Sequence, residues 1–243
     1  MSEPGGPLDR DGWERVSSRT RSALREAGDR VAVAQDAARG MENLTSQALW
    51  ALSRVVLVQE RGQERSREAE LRAPLHQLAE ACQDAVLIGR QIHRLLGEAV
   101  EEIRTATATM AAVRPDLAGQ DLVHHVTLGA RLAVLEEGLV RCRPVLEQAV
   151  VRLTSAAEHA HQSVPASEGT VPRFPVEAVD RRLSVALEVG ETLRRDLAAA
   201  QADSGRARGR VDTLCRAATA RMAAHHARAP FPDQTATAPG VGR

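Results

Sequence analysis

The sequence predicts an all-α protein: an elongated bundle of three to four long helices with coiled-coil-like packing. The first observation behind this is an apolar rhythm of alternating three- and four-residue steps. It runs through every long segment and is longest from Val176 to about His225, through Val176, Val179, Leu183, Ala186, Gly190, Leu193, Leu197, Ala200, Ser204, Ala207, Val211, Leu214 and Ala218. A stripe of that period is the seam of an α-helix packed on other helices. The second observation is composition. Apolar residues make up 43% of the 243, yet aromatics are only 2% and Tyr is absent. Ala, Leu and Val must fill the interior, which suits close helix–helix contact and disfavours a β-sandwich or a deep aromatic-lined pocket.

The elements follow in order. Residues 1–11, with Pro4, Gly5, Gly6 and Pro7, read as a disordered leader. The first helix is expected from about Asp11 through Trp13, Val16, Thr20, Ala23, Ala27, Val31, Ala34, Ala38, Met41, Thr45, Ala48, Leu52 and Val55. Gly28 and Gly40 each cost roughly 1 kcal/mol relative to Ala and mark places for a bend or break. Gln59 to Arg72 is nearly all charged or polar and reads as a solvated helix end or an exposed loop. The second helix is expected from Pro74 to Val113, since a proline suits a first turn, where its missing N–H is not needed. Arg114 to Gly119 ends it in a short turn. The third helix runs from Gln120 to about His161, with a kink expected at Pro144.

Residues 163–175 hold Pro165, Gly169, Pro172 and Pro175 and read as a linker. A long amphipathic, coiled-coil-like helix over 176–228 follows, and 229–243 is a disordered tail. The expected organisation is therefore a helical bundle over 12–162 and a long helix over 176–228 that packs either on that bundle or on another chain. Helices of ~40 residues are about 60 Å long, so the molecule should be a rod.

Charge and cysteine usage narrow the class. The chain has 32 basic and 32 acidic residues, and every fixed positive charge is an Arg. Such balance removes the electrostatic term on which nucleic-acid binding relies, so no nucleic-acid partner is expected. Cys82, Cys142 and Cys215 form no CxxC and lie near apolar helical positions, where reduced thiols act as small hydrophobes. The segment from Met1 to Arg15 carries Glu3, Asp9, Asp11 and Glu14, too acidic for a transit peptide and without an apolar run for secretion. No stretch approaches the ~18 apolar residues of a membrane span, so no membrane insertion is expected. A cytoplasmic location follows as the expectation.

Candidate chemistry is sparse. His124-His125 and His225-His226 are adjacent pairs that point about 100° apart on a helix, and His159 and His161 also split faces. The helical patterns that converge metal ligands are missing, as are GxSxG and phosphate-loop motifs. No catalytic, cofactor-binding or metal site is expected, and the chain reads as noncatalytic. Arg206, Arg208 and Arg210 read as a solvated helix face. Trp13 and Trp50 are candidates for core or dimer contacts, with Trp50, beside Leu49 and near Leu52, expected at least half buried. Phe174 and Phe231 stand between prolines, where chance explains them better than a short linear motif. The candidate partner or oligomer contacts are Trp50, Leu52, Leu183, Leu193, Leu197, Val211 and Leu214.

Three strings carry a family resemblance. Thr45-Ser46-Gln47-Ala48-Leu49-Trp50-Ala51-Leu52, Val86-Leu87-Ile88-Gly89-Arg90 and Thr109-Met110-Ala111-Ala112-Val113 resemble, in order and at similar spacing, strings of the Smac/Diablo family of inhibitor-of-apoptosis antagonists. The resemblance covers roughly residues 31–160. It implies an elongated homodimeric helical bundle, an inhibitor-of-apoptosis protein as partner, and a mitochondrial location. The family acts through a free N-terminal Ala-Val-Pro-Ile, and here this sequence departs. Removing Met1 exposes Ser2-Glu3-Pro4-Gly5, and Ala32-Val33-Ala34-Gln35 lies mid-helix.

Two functions compete. One is a noncatalytic homodimer acting through protein–protein contacts, Smac/Diablo-like in apoptosis but without a clear inhibitor-binding tetrapeptide. The other is a coiled-coil adaptor of a trafficking or cytoskeletal complex. In that second reading the small seam residues Gly190, Ser204 and Ala207 leave room for a different chain beside the last helix.

Overall fold

The computed structural model describes residues 10–61, 64–113, 117, 119–164 and 174–228, with side chains for all of these except 64–68 and 225–228. These residues form four helices, α1 (Arg10–Arg61), α2 (Glu64–Ala111), α3 (Gln120–Gln162) and α4 (Val176–Arg228), and no strand. The longest, α4, has 53 residues and spans about 80 Å at 1.5 Å per residue.

Each helix packs against the next, and α4 closes the ring on α1. Cross-helix contacts show every neighbouring pair to be antiparallel. Arg54 meets Gln77 while Arg30 meets Glu98; His93 meets Glu147 while Arg104 meets Glu136. Across α1 and α4, Glu42 pairs with Arg194 and Arg21 with Asp212. The architecture is an up-down-up-down four-helix bundle. One contiguous core runs its length, built from Leu, Ala, Val and Ile of all four helices.

That core includes α4, whose packing partner the sequence leaves open. Every seam position of α4 from Val179 to Ala218 is buried, and α4 packs on both α1 and α3. The small residues of its seam do make room, but for α1 of the same chain. A Cβ on Gly190 would stand 2.9 Å from Glu42 Cγ, and the Ser204 hydroxyl donates to the Leu24 carbonyl at 2.9 Å. Gly28 faces Ser204 at the same crossing. It is a point of close helix approach, and α1 continues through it and through Gly40 without a break.

Other boundaries also shift. Helix α1 starts at Arg10, so Arg10 and Asp11 are helical; residues 1–9 and 229–243, with Phe231, lie outside the described residues. Helix α2 starts ten residues before Pro74, which sits buried inside it rather than in its first turn. An interior proline costs about 3 kcal/mol. Burial of Leu71, Leu75 and Leu78 around it offsets that, at about 1.5–3 kcal/mol for each fully buried side chain. The charged run from Gln59 is thus mostly helix, with residues 62–63 outside the described residues. Pro144 lies inside α3, which continues on both sides of it.

Phe174, expected in the linker, is 3% exposed and joins the core. With Pro175 preceding the first residue of α4, Phe174 and Val179 occupy the two positions of a hydrophobic staple, and both are buried. The staple fixes how the chain enters α4. Residues 165–173 of the expected linker lie outside the described residues.

Candidate interaction surface

Six of the seven side chains expected at a partner interface are already in use. Leu52, Leu183, Leu193, Leu197, Val211 and Leu214 are buried in the chain's own core, so none offers itself to another molecule while the bundle is closed. The seventh, Trp50, departs from expectation in the other direction. It is 60% exposed, because the buried positions of this turn are Ala48, Ala51 and Leu52, and Trp50 lies on the opposite side of the helix. The Arg54 guanidinium lies over its ring, 5.1 Å from the centroid, a cation–π contact at an exposed site. Trp13 is in the core.

The titratable residues are placed structurally. His125 is buried and its Nε2 lies 2.9 Å from the Met110 carbonyl, joining α3 to the end of α2. His159 turns back to the Ser155 carbonyl, and His161 meets Gln83 across α2 and α3. The side chains of His225 and His226 lie outside the described residues. The buried Asp121 carboxylate in the first turn of α3 forms an ion pair with Arg221 near the end of α4. No group of three or more His, Cys, Asp or Glu among the described residues is gathered as a metal site.

The thiols are kept from reacting. Burial pushes Cys82 up to about 12 and Cys142 up to about 11, and it raises Cys215 as well. The thiolate is the nucleophile, so at neutral pH these side chains behave as packing atoms. Linkage gives the sign: a thiol that ionises less readily when folded stabilises fully below its unfolded value near 9, and that stability is lost as pH rises toward about 12.

What remains for recognition is an apolar surface that sequence reasoning missed. Ten large hydrophobic side chains among the described residues are exposed, and six of them lie on α3: Val123, Val126, Val134, Val140, Val145 and Val151. The buried face of the same helix carries Leu128, Leu132, Leu135, Leu139, Leu146 and Leu153. Helix α3 thus has two apolar faces, and only one is covered by the bundle. The outer one keeps its own 3-4 rhythm through Val126, Ala130, Ala133, Glu137, Val140, Pro144, Gln148 and Val151, all but Glu137 and Gln148 apolar and all exposed. Such a stripe is a second helix-packing seam. Val134 and Val145 flank it on the α4 side, above a cleft of about 390 Å³ floored by Gly138, Cys142, Leu193 and Ala199.

No protein-family model matches this chain, and no curated protein or solved structure matches it either. No described helix is long and apolar enough to cross a membrane. The three strings of the Smac/Diablo resemblance sit in the bundle. Thr45, Ala48, Ala51, Leu52, Val86 and Gly89 are buried, and Thr45 donates to the Met41 carbonyl at 2.8 Å. Helix packing by itself gives these residues a reason to be where they are.

Proposed function

We propose that this is a noncatalytic, homodimeric helical protein that acts through protein–protein contacts. The observation that carries this is the uncovered apolar face of α3. Monomeric proteins rarely leave a contiguous apolar patch of several hundred Å² in water, and such patches mark interaction sites. The Smac/Diablo resemblance favours an apoptotic setting. The adaptor reading loses the support it drew from α4, whose seam is filled within the chain.

The test is co-purification from cells with the full chain and with a triple Val126→Asp, Val140→Asp, Val151→Asp variant. All three valines are exposed, so helix content and melting should hold while the co-purifying proteins fall away. The same proteins recovered with both chains would remove α3 from the argument. Inhibitor-of-apoptosis proteins among the wild-type partners would favour the Smac/Diablo setting; subunits of transport or cytoskeletal complexes would favour the adaptor.

A second measurement addresses the tetrapeptide. A groove that captures an N-terminal amine needs that charge free and the next residues extended. Ala32 to Gln35 is helical and in the middle of α1, with Ala34 in the core. The full-length protein should therefore bind the inhibitor's groove at least about a hundredfold more weakly than an Ala-Val-Pro-Ile terminus, roughly 2.7 kcal/mol. Titration against a groove-bound fluorescent peptide reads this, with the native terminus checked by mass spectrometry. Displacement at micromolar concentration would reveal a processed terminus that satisfies the groove.

A further inference from the structure

We infer that the outer face of α3 is covered by the α3 of a second copy, the two helices running antiparallel about a two-fold axis that crosses the outer face between Glu137 and Arg141, level with residue 139 along the helix. This rests on the homodimer reading above and names its interface.

The charges on that face fix the register. Glu137 and Arg141 are both exposed there and pair with each other at 3.7 Å within one turn. A two-fold contact requires the same patch to complement itself. If two α3 helices lie antiparallel with residue 139 opposite its own copy, Glu137 faces the second copy's Arg141 and Arg141 faces its Glu137. Both pairs form at once, and no like charges meet. Parallel, in-register packing would instead set Glu137 against Glu137 and Arg141 against Arg141, which is repulsive.

The apolar positions obey the same register to within one residue. Val126 meets Val151 of the other copy, and Ala133 meets Pro144. Ala130 and Ala133 are small and exposed on that stripe, and small residues let helix backbones come close. Size sets the strength. The stripe from Val123 to Val151 is about 43 Å long by the helical rise. At about one helix diameter in width it buries roughly 1,000 Å² over both copies, the low end for specific interfaces. The association should be reversible and depend on concentration.

Sedimentation velocity of the full chain across roughly 1–100 μM tests this. Wild type should pass from monomer to dimer within the range. Glu137→Arg sets two Arg against two Arg and should weaken the dimer about tenfold or more, as should Arg141→Glu, which sets Glu against Glu. The swap Glu137→Arg/Arg141→Glu should recover wild-type affinity to within about threefold, because the antiparallel pairs are restored with reversed sign. Val140→Asp should hold the chain monomeric, with circular dichroism confirming an intact bundle. A wild type that stays monomeric throughout would overturn the interface and the homodimer reading together. A dimer indifferent to Val140→Asp would overturn this interface and leave the homodimer reading standing. A swap that fails to recover would overturn the antiparallel register.

Discussion

Replacing Leu193 and Leu197 together with Asp should open the bundle. Both side chains are fully buried in the α4 seam, where the helix packs against α1 and α3 at once. Each substitution forfeits about 1.5–3 kcal/mol of apolar burial. Each also puts a carboxylate at a buried core position, which costs further free energy unless water enters. Two such changes remove at least about 3–6 kcal/mol from a fold whose whole stability is expected at about 5–15 kcal/mol. The melting temperature followed by circular dichroism should fall by roughly 10–20 °C, or the transition should lose its cooperativity. Leu87→Asp on the exposed side of α2 is the control, since a surface change of that kind stays within about 0.5 kcal/mol. Equal melting of all three chains would mean that the Leu193 and Leu197 stripe does not face the core.

The α4 seam was readable in the sequence because burial and helical period coincide there. Leu183, Leu193, Leu197, Val211 and Leu214 recur at 3-4 spacing, and all sit in the core. What periodicity cannot supply is the identity of the surface across the seam. A stripe with Gly190, Ser204 and Ala207 in it looks like one awaiting another chain. The pairing of Ser204 with the Leu24 carbonyl and of Glu42 with Arg194 shows that α1 is the occupant. Long-range contacts of this kind, 152 and 180 residues apart, leave no local trace. Pro74 misled for a related reason: its local preference for a first turn is weaker than the tertiary burial of the leucines on either side.

The candidate surface was only partly legible. Nearness to Leu49 and Leu52 in sequence does not bury Trp50, because adjacent residues on a helix point about 100° apart. The valines of α3 were present in the sequence as a second signal. Val126, Val140 and Val151 fall off the stripe of Leu128, Leu132, Leu135 and Leu139 and form a second seam on the same helix. Phe174 stands between prolines, yet a staple at a helix start is built from an apolar residue in that position.

Gly89 should be the least replaceable glycine of the bundle. It is buried on α2 where three helices converge, and an added Cβ would stand 2.6 Å from Val150 Cγ2 of α3, with Met41 Sδ of α1 at 3.6 Å. Val150 is β-branched and stiff at χ1, so it has little freedom to turn away. Two effects oppose each other in Gly89→Ala. Helix propensity gains about 1 kcal/mol, while forcing an extra group into a packed contact costs typically about 1–3 kcal/mol. The contact is far shorter than van der Waals distance, so the packing loss should win and the variant should be less stable than wild type. Gly89→Val adds two more methyl groups at the same point and should lose about 3 kcal/mol or more. Gly97 is on the same helix with nothing within 4 Å of an added Cβ, so Gly97→Ala should instead gain up to about 1 kcal/mol from propensity alone. Urea unfolding of the three variants reads all three signs through the shift in midpoint. If Gly89→Ala proves as stabilising as Gly97→Ala, then α2 and α3 do not approach this closely at Val150, and the packing argument for a glycine at position 89 is lost.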